Sequence, residues 1–125
     1  MATVMVVDDT QLIRETVAKL LRREGYETVC ACNGIEAMAE FEKVRPDLVL
    51  LDIMMPDMDG MEFLQHLRGH PWGRILPVIM MSALGDDVNQ SLAKELGANE
   101  FLVKTRFNAC QVLDRVKHWI NQRSN

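Results

Sequence analysis

Four apolar runs in this sequence each stop at a side chain able to do chemistry. Val4-Met5-Val6-Val7 runs into Asp8-Asp9, and Leu48-Val49-Leu50-Leu51 into Asp52. Val78-Ile79-Met80-Met81 ends at Ser82, and Phe101-Leu102-Val103 ends at Lys104. If the runs are neighbouring strands, Asp8, Asp9 and Asp52 converge at one crevice. Carboxylates brought together repel one another unless a cation neutralises them. Ligands that are all oxygen, in a small solvent-facing cluster, suit Mg²⁺, which keeps several of its waters. Lys104 adds a positive point charge and Ser82 a hydroxyl donor. Metal, ammonium and hydroxyl around one carboxylate can hold a tetrahedral phosphoryl group by its oxygens. Such a site stabilises the charge spread over the group in transfer. Asp52 would then be the nucleophile and become an acyl phosphate. A plainer reading has Asp8 and Asp9 only capping the helix that follows. Two adjacent acids plus a third at another strand end exceed what a cap needs. Lys104 taken alone would be a solvated lysine; its matching position on the fifth strand gives it meaning.

The elements that must position these groups follow from periodicity. Apolar strands alternate with amphipathic helices five times along the chain, which predicts a parallel sheet with helices on both faces. Strands are expected at about Thr3 to Val7, Glu27 to Ala31, Leu48 to Leu51, Val78 to Met81 and Phe101 to Val103. The first helix spans about Thr10 to Glu24, with Ile13, Val17, Leu20 and Leu21 on one face and Gly25 at its end. Asn33-Gly34-Ile35-Glu36 resembles a capping box for a helix ending near Val44. Arg45-Pro46-Asp47 breaks the chain. A third helix runs from about Gly60 to Arg68, with Met61, Leu64 and Leu67 inward, and a fourth from about Asp87 to Leu96. The last carries Ala109, Val112, Val116 and Ile120 at helical spacing. The fold class is therefore α/β, a doubly wound five-stranded parallel sheet of flavodoxin-like order 2-1-3-4-5 flanked by five helices. That order opens its crevice between strands one and three, the two that end in carboxylates.

Composition excludes several classes. At 125 residues the chain reads as one domain, 1–125, able to bury a core without staples. A net charge of −4 argues against direct nucleic-acid binding. No apolar stretch reaches the roughly 20 residues of a membrane helix, and Met1-Ala2-Thr3 leads straight into a strand without a signal peptide. The three cysteines, Cys30, Cys32 and Cys110, show no zinc spacing and are expected as reduced, mostly buried thiols of a cytoplasmic protein. The nine methionines read as core filler, with Met55 and Met58 candidates for exposure near the site. His66, His70 and His118 are expected to be solvated, and Trp72 and Trp119 to serve packing.

At this point the chain resembles the receiver domain of two-component response regulators. The resemblance covers essentially the whole sequence. It is carried by Val6-Val7-Asp8-Asp9, by Leu51-Asp52-Ile53-Met54-Met55-Pro56-Asp57-Met58-Asp59-Gly60, by Met81-Ser82-Ala83, by Leu96-Gly97-Ala98 and by Phe101-Leu102-Val103-Lys104. The resemblance implies that Asp52 is the phosphoacceptor, with Asp9 a direct Mg²⁺ ligand, Asp8 a second one acting through water, and the Met54 backbone carbonyl a further ligand. Lys104 would pair with the phosphoryl group and Ser82 would hydrogen-bond it. Phe101 would be the aromatic that turns inward when Ser82 moves, and the fourth helix, fifth strand and fifth helix would form the output face. It implies a sensor histidine kinase or histidine phosphotransfer protein as donor, and a downstream effector protein or a C-terminal output domain as receiver of the signal. Met54 and Leu84 would flank the path of the hydrolytic water; both are apolar, so slow self-dephosphorylation is expected.

One position departs from the family. Thr105 stands where proline, preceded by a cis bond, is usual. A cis bond to a non-proline residue costs about 3 kcal/mol, so a trans Lys104–Thr105 bond is expected. Two other readings compete with the switch. A metal-dependent phosphatase with an aspartyl-phosphate intermediate would want an acid at position 54, which is methionine. A phosphorylation-independent interaction module would tend to have lost the acids or the lysine, and none is lost. The chain stops just past the last helix, and the polar tail Asn121-Gln122-Arg123-Ser124-Asn125 fits a single-domain regulator somewhat better than the start of a linker.

Overall fold

The computed structural model describes residues 2–83, 85, 87–106 and 108–124; Met1, Leu84 and Asn125, all used above, lie outside them. Five strands, β1 (Thr3–Val7), β2 (Glu27–Ala31), β3 (Leu48–Asp52), β4 (Val78–Ser82) and β5 (Glu100–Val103), form one sheet in the order β2-β1-β3-β4-β5. Every pairing is parallel. Between and after them lie α1 (Gln11–Arg23), α2 (Gly34–Val44), α3 (Gly60–Arg68), α4 (Asp87–Glu95) and α5 (Ala109–Ser124), with a short 3-10 turn at Lys104–Arg106. The expected fold class is the one found.

Side chains alternate along a strand, and the sheet therefore builds two cores. Val4, Val6, Leu48, Leu50, Ile79, Met81 and Leu102 point to the side covered by α1 and α5. Met5, Val7, Val49, Leu51, Val78 and Met80 point to the side covered by α2 and α3. The central strands β3 and β4 are buried along their whole length, as strands covered on both faces must be.

Local hydrogen bonds and glycines set the helix ends. Asn33 Oδ1 accepts from the Glu36 backbone N–H at 2.8 Å, half of the expected capping box. The reciprocal half is displaced by one residue: the Glu36 carboxylate accepts from the Cys32 N–H at 3.3 Å, because Cys32 has already left the strand. Gly25 and Gly97 take φ of 93° and 101° just past α1 and α4, a conformation that glycine adopts at little cost. The apolar face of α3 is wider than expected, since Phe63 is buried beside Met61, Leu64 and Leu67.

Two expectations about individual side chains need correction. None of the cysteines is fully buried: Cys30 and Cys32 are half-covered and Cys110 is exposed. Cys30 sits on the edge strand β2, which has a neighbour on one side only. His70 is not a solvated side chain. Its ring lies 4.4 Å from that of Trp72 and meets Phe41 edge-on at 5.4 Å. Trp72 in turn carries the Arg45 guanidinium 3.6 Å over its ring.

Candidate phosphoryl-acceptor site

Register places the reactive groups. Val7 pairs with Leu51, so Asp8 and Asp52 follow in the next row. Asp52 pairs with Met81, Met81 with Leu102, and Lys104 lies two residues beyond Leu102. Asp8, Asp52 and Lys104 thus share the parity of the α1/α5 face. Lys104 Nζ lies 2.8 Å from Asp8 Oδ2 and 3.2 Å from Asp52 Oδ2. The carboxylates of Asp8, Asp9 and Asp52 offer one oxygen each within 4.8 Å of one another. Asp8 and Asp52 are buried, whereas Asp9 is exposed.

The capping alternative for Asp8 holds for one oxygen only. Its Oδ1 accepts from the Thr10 backbone N–H at 2.9 Å and turns the chain into α1. Its Oδ2 is buried and accepts no hydrogen bond other than the Lys104 contact. Arg14, which sequence reasoning did not single out, donates from Nη1 to the Asp8 carbonyl at 2.7 Å and fixes the β1–α1 turn. Its position one helical turn into α1 was the available signal.

A second missed element is the contact beneath Asp52. The Gly60 N–H donates to the Ile53 carbonyl at 2.8 Å, and a Cβ on Gly60 would run into the Asp52 backbone carbonyl. The start of α3 is docked directly against the residue that carries the carboxylate.

Ser82 and Phe101 lie on the other face. Ser82 has the parity of Val78 and Met80, and Phe101 pairs with Met80 and packs against the same α2/α3-side core. The two are diagonal neighbours on that face. Ser82 closes β4 one residue beyond Met81, the partner of Asp52. Met54 is 61% exposed in the loop after β3; its partner in the hydrolysis expectation, Leu84, is outside the described residues. The Lys104–Thr105 bond is trans, and Lys104 begins the 3-10 turn.

Electrostatics follow from this crowding. Three carboxylates and one ammonium sum to −3 + 1 = −2 when all are charged. Burial, and then the neighbouring Asp8 carboxylate, push the Asp52 carboxyl up to about 6, against the opposing pull of Lys104. Burial would lower Lys104, but its bond to Asp8 and the charges of Asp52 and Asp8 outweigh that and raise it. The donor set is all oxygen, carries excess negative charge and includes a buried oxygen, Asp8 Oδ2, whose one contact is the Lys104 ammonium. It fits Mg²⁺, which is held by carboxylates and water.

The raised Asp52 carboxyl has a consequence for stability. The unfolded chain releases this proton near pH 4, whereas the folded protein holds it to about 6. The native state therefore loses stability as pH rises between those values, and the full cost is present above them. Metal-free Asp52→Asn is expected to be more stable than the parent by about 1–2 kcal/mol at pH 7.5. That gain should shrink as pH falls towards 4. Urea titrations at both pH values check this, and an Asn variant less stable at pH 7.5 would contradict it.

Comparisons with known proteins point one way. The sequence matches the response regulator receiver domain over residues 4–117. It is 33% identical over 117 residues to the sensory transduction protein RegX3 of Mycobacterium tuberculosis, covering 94% of this chain and 50% of that protein. It is 37% identical over 114 residues to the regulatory protein VanRc of Enterococcus gallinarum, covering 91% of this chain and 48% of that protein. The chain thus spans about half the length of these relatives. Among solved structures it is similar to the chemotaxis response regulator CheY4 of Vibrio cholerae, with a TM-score of 0.89 and 34% identity, covering 95% of this chain and 98% of that one. It is also similar to the N-terminal receiver domain of Klebsiella pneumoniae RstA, with a TM-score of 0.85 and 30% identity, covering 94% and 97%.

Proposed function

Because this chain belongs to the response regulator receiver domain family, we propose that it is a phosphorylation-activated signalling switch with Asp52 as its phosphoacceptor. The observation that carries the reading is the environment of that carboxylate. It is 4% exposed, 3.2 Å from the Lys104 ammonium, and clustered with two further carboxylates that could hold a divalent cation. Deprotonated Asp52 attacks phosphorus on a phosphohistidine of a sensor histidine kinase or phosphotransfer protein. The new O–P bond forms as the N–P bond breaks, and the imidazole leaves with its electron pair. Asp8, Asp9, Asp52 and the Met54 carbonyl are the groups that would hold Mg²⁺, which when bound supplies charge to neutralise the phosphoryl oxygens. Lys104 already lies at hydrogen-bonding distance from Asp52 and pairs with the group once transferred. Ser82, at the end of β4, would donate its hydroxyl to the phosphoryl group, and Phe101 is its diagonal neighbour on β5.

The phosphoryl group brings negative charge and acceptor oxygens. It biases an existing equilibrium towards the arrangement in which Ser82 and Lys104 both reach it. The surface of α4, β5 and α5 then presents the signal to an effector protein or an attached output domain in the cytoplasm. The chain promotes its own phosphorylation and dephosphorylation without turning over a separate substrate. The similar Klebsiella domain was captured in a BeF3-activated form, which supports the reading.

The test is intact mass after incubation with a small acyl phosphate, with and without Mg²⁺, beside Asp52→Ala. One added phosphoryl group is expected, dependent on Mg²⁺ and missing in the variant. If folded protein gained none from an acyl phosphate or from a phosphohistidine donor, the interaction-module reading would take its place. A further expectation concerns lifetime. Exposed Met54 offers no hydrogen bond to an attacking water, so the phosphorylated form should outlast seconds. Met54→Asn should shorten its half-life several-fold, about 3-fold or more. Loss of the added mass within seconds in the parent protein would contradict this.

A further inference from the structure

We propose that Arg68 is the pivot of the switch, the residue that fixes the trailing end of α4 so that only its leading end answers to phosphorylation. The inference rests on the signalling role proposed above. Arg68 lies in the last turn of α3, and its half-buried guanidinium is committed at every nitrogen. Nη1 donates to the Gly73 and Leu76 carbonyls at 2.6 and 2.7 Å. Nη2 donates to the Gly97 carbonyl at 2.7 Å and to Asn99 Oδ1 at 3.1 Å, and Nε donates to Gly97 at 3.2 Å. Among the described residues no carboxylate pairs with this charge. It is satisfied by carbonyl and amide oxygens alone, a geometry that the rigid arginine fork can fill and a lysine cannot.

Those oxygens belong to the two loops that must stay together if α4 is to be held. Gly97 and Asn99 lie just past the end of α4. Asn99 is itself locked to β4: its Oδ1 accepts from the Val78 N–H and its own N–H donates to the Val78 carbonyl, both at 2.9 Å. Gly97 stands with φ of 101°, and a Cβ there would meet the Arg68 side chain. Packing tells the same story. Ala93, in the second half of α4, is the helix's one buried residue among those described. Val88, nearer the start, is 77% exposed. The helix is thus pinned at its C-terminal end, and its N-terminal end follows directly from the loop that Ser82 opens. A helix held in this way turns a small displacement near Ser82 into a swing of its leading half.

Hydrogen exchange read by mass spectrometry tests this on the parent, Arg68→Gln and Arg68→Lys, each with and without acyl phosphate and Mg²⁺, with intact mass on the same samples. In the parent, phosphorylation should change exchange at residues 87–91 and leave 95–99 level. Both variants should exchange faster at 94–99 without phosphorylation, by about ten-fold or more for glutamine. The phosphorylation-dependent difference at 87–91 should fall below about half, while phosphoryl uptake stays within about two-fold of the parent, since Arg68 does not touch the site. Faster exchange everywhere with that difference intact would reduce Arg68 to a structural residue and overturn the inference. Absence of added mass in all three proteins would instead defeat the signalling reading and the pivot with it.

Discussion

Lys104→Met should lose about 3 kcal/mol of stability at neutral pH without divalent ions. The reason is the pair it leaves behind. Asp8 and Asp52 are 0% and 4% exposed, and Lys104 is the ammonium that contacts both. Removing one partner of a buried ion pair strands charge in a low-dielectric setting, which costs about 3–5 kcal/mol. Here it is moderated because Asp52 can take up a proton. The carboxyl already held at about 6 by burial should therefore rise further in the variant. The sign with pH follows. Protonating Asp52 removes one of the two stranded charges, so the deficit relative to the parent should narrow as pH falls below 6 and be widest near pH 8. At the alkaline end, the stability contributed by Lys104 in the parent is lost only as pH rises through its raised value, above 10.5. Millimolar Mg²⁺ should restore part of the loss, because a divalent cation among the carboxylates does the ammonium's work. A variant of unchanged stability at pH 8, indifferent to Mg²⁺, would mean that the carboxylates do not depend on this lysine.

Gly60→Ala should be the most damaging single-methyl change near the site. The added carbon has no side chain to displace; it meets the backbone carbonyl of Asp52. Either the first turn of α3 lifts away, breaking the Gly60–Ile53 hydrogen bond, or the end of β3 shifts and carries the carboxylate with it. Over-packing of this kind costs about 3 kcal/mol at its upper end. Because the strain falls on the strand that carries Asp52, phosphoryl uptake should drop together with stability. Gly69→Ala is the control. Gly69 closes the same helix with φ of −80°, and a Cβ there would sit at ordinary contact distance from the His66 and Gln65 carbonyls. It should change stability by less than about 1 kcal/mol and leave uptake alone. Equal effects of the two substitutions would show that the helix, and not its contact with Asp52, is what alanine disturbs.

Much of this molecule is legible in its residues because the strongest signals are one-dimensional. Apolar runs of strand length fix β1 to β5 to within a residue or two. Their polar endings mark the rim of the sheet, and two endings in carboxylate select the strand order whose crevice lies between them. What could not be read depends on what covers a surface. Parity along β4 sets Ser82 on the face opposite Asp52, but a strand taken to end at Met81 hides that parity. Phe63 is buried because α3 presses against a wide apolar sheet, and a count of helical spacing finds only its central stripe. His70 carries no sequence signal that it will lie between Phe41 and Trp72, since Phe41 comes from another helix. Arg68 reads as an ordinary cation at a helix end until the loops bearing Gly73 and Gly97 are seen to converge on it.

Reductive trapping tests the central claim most directly. Borohydride reduces an aspartyl phosphate to homoserine, so treatment of acyl-phosphate-modified protein followed by peptide sequencing reads the acceptor by position. Homoserine at position 52, dependent on Mg²⁺, is the expected result. Homoserine at Asp8, Asp9 or Asp57, or a borohydride-resistant phosphate on Ser82, would contradict the assignment of Asp52 as the acceptor.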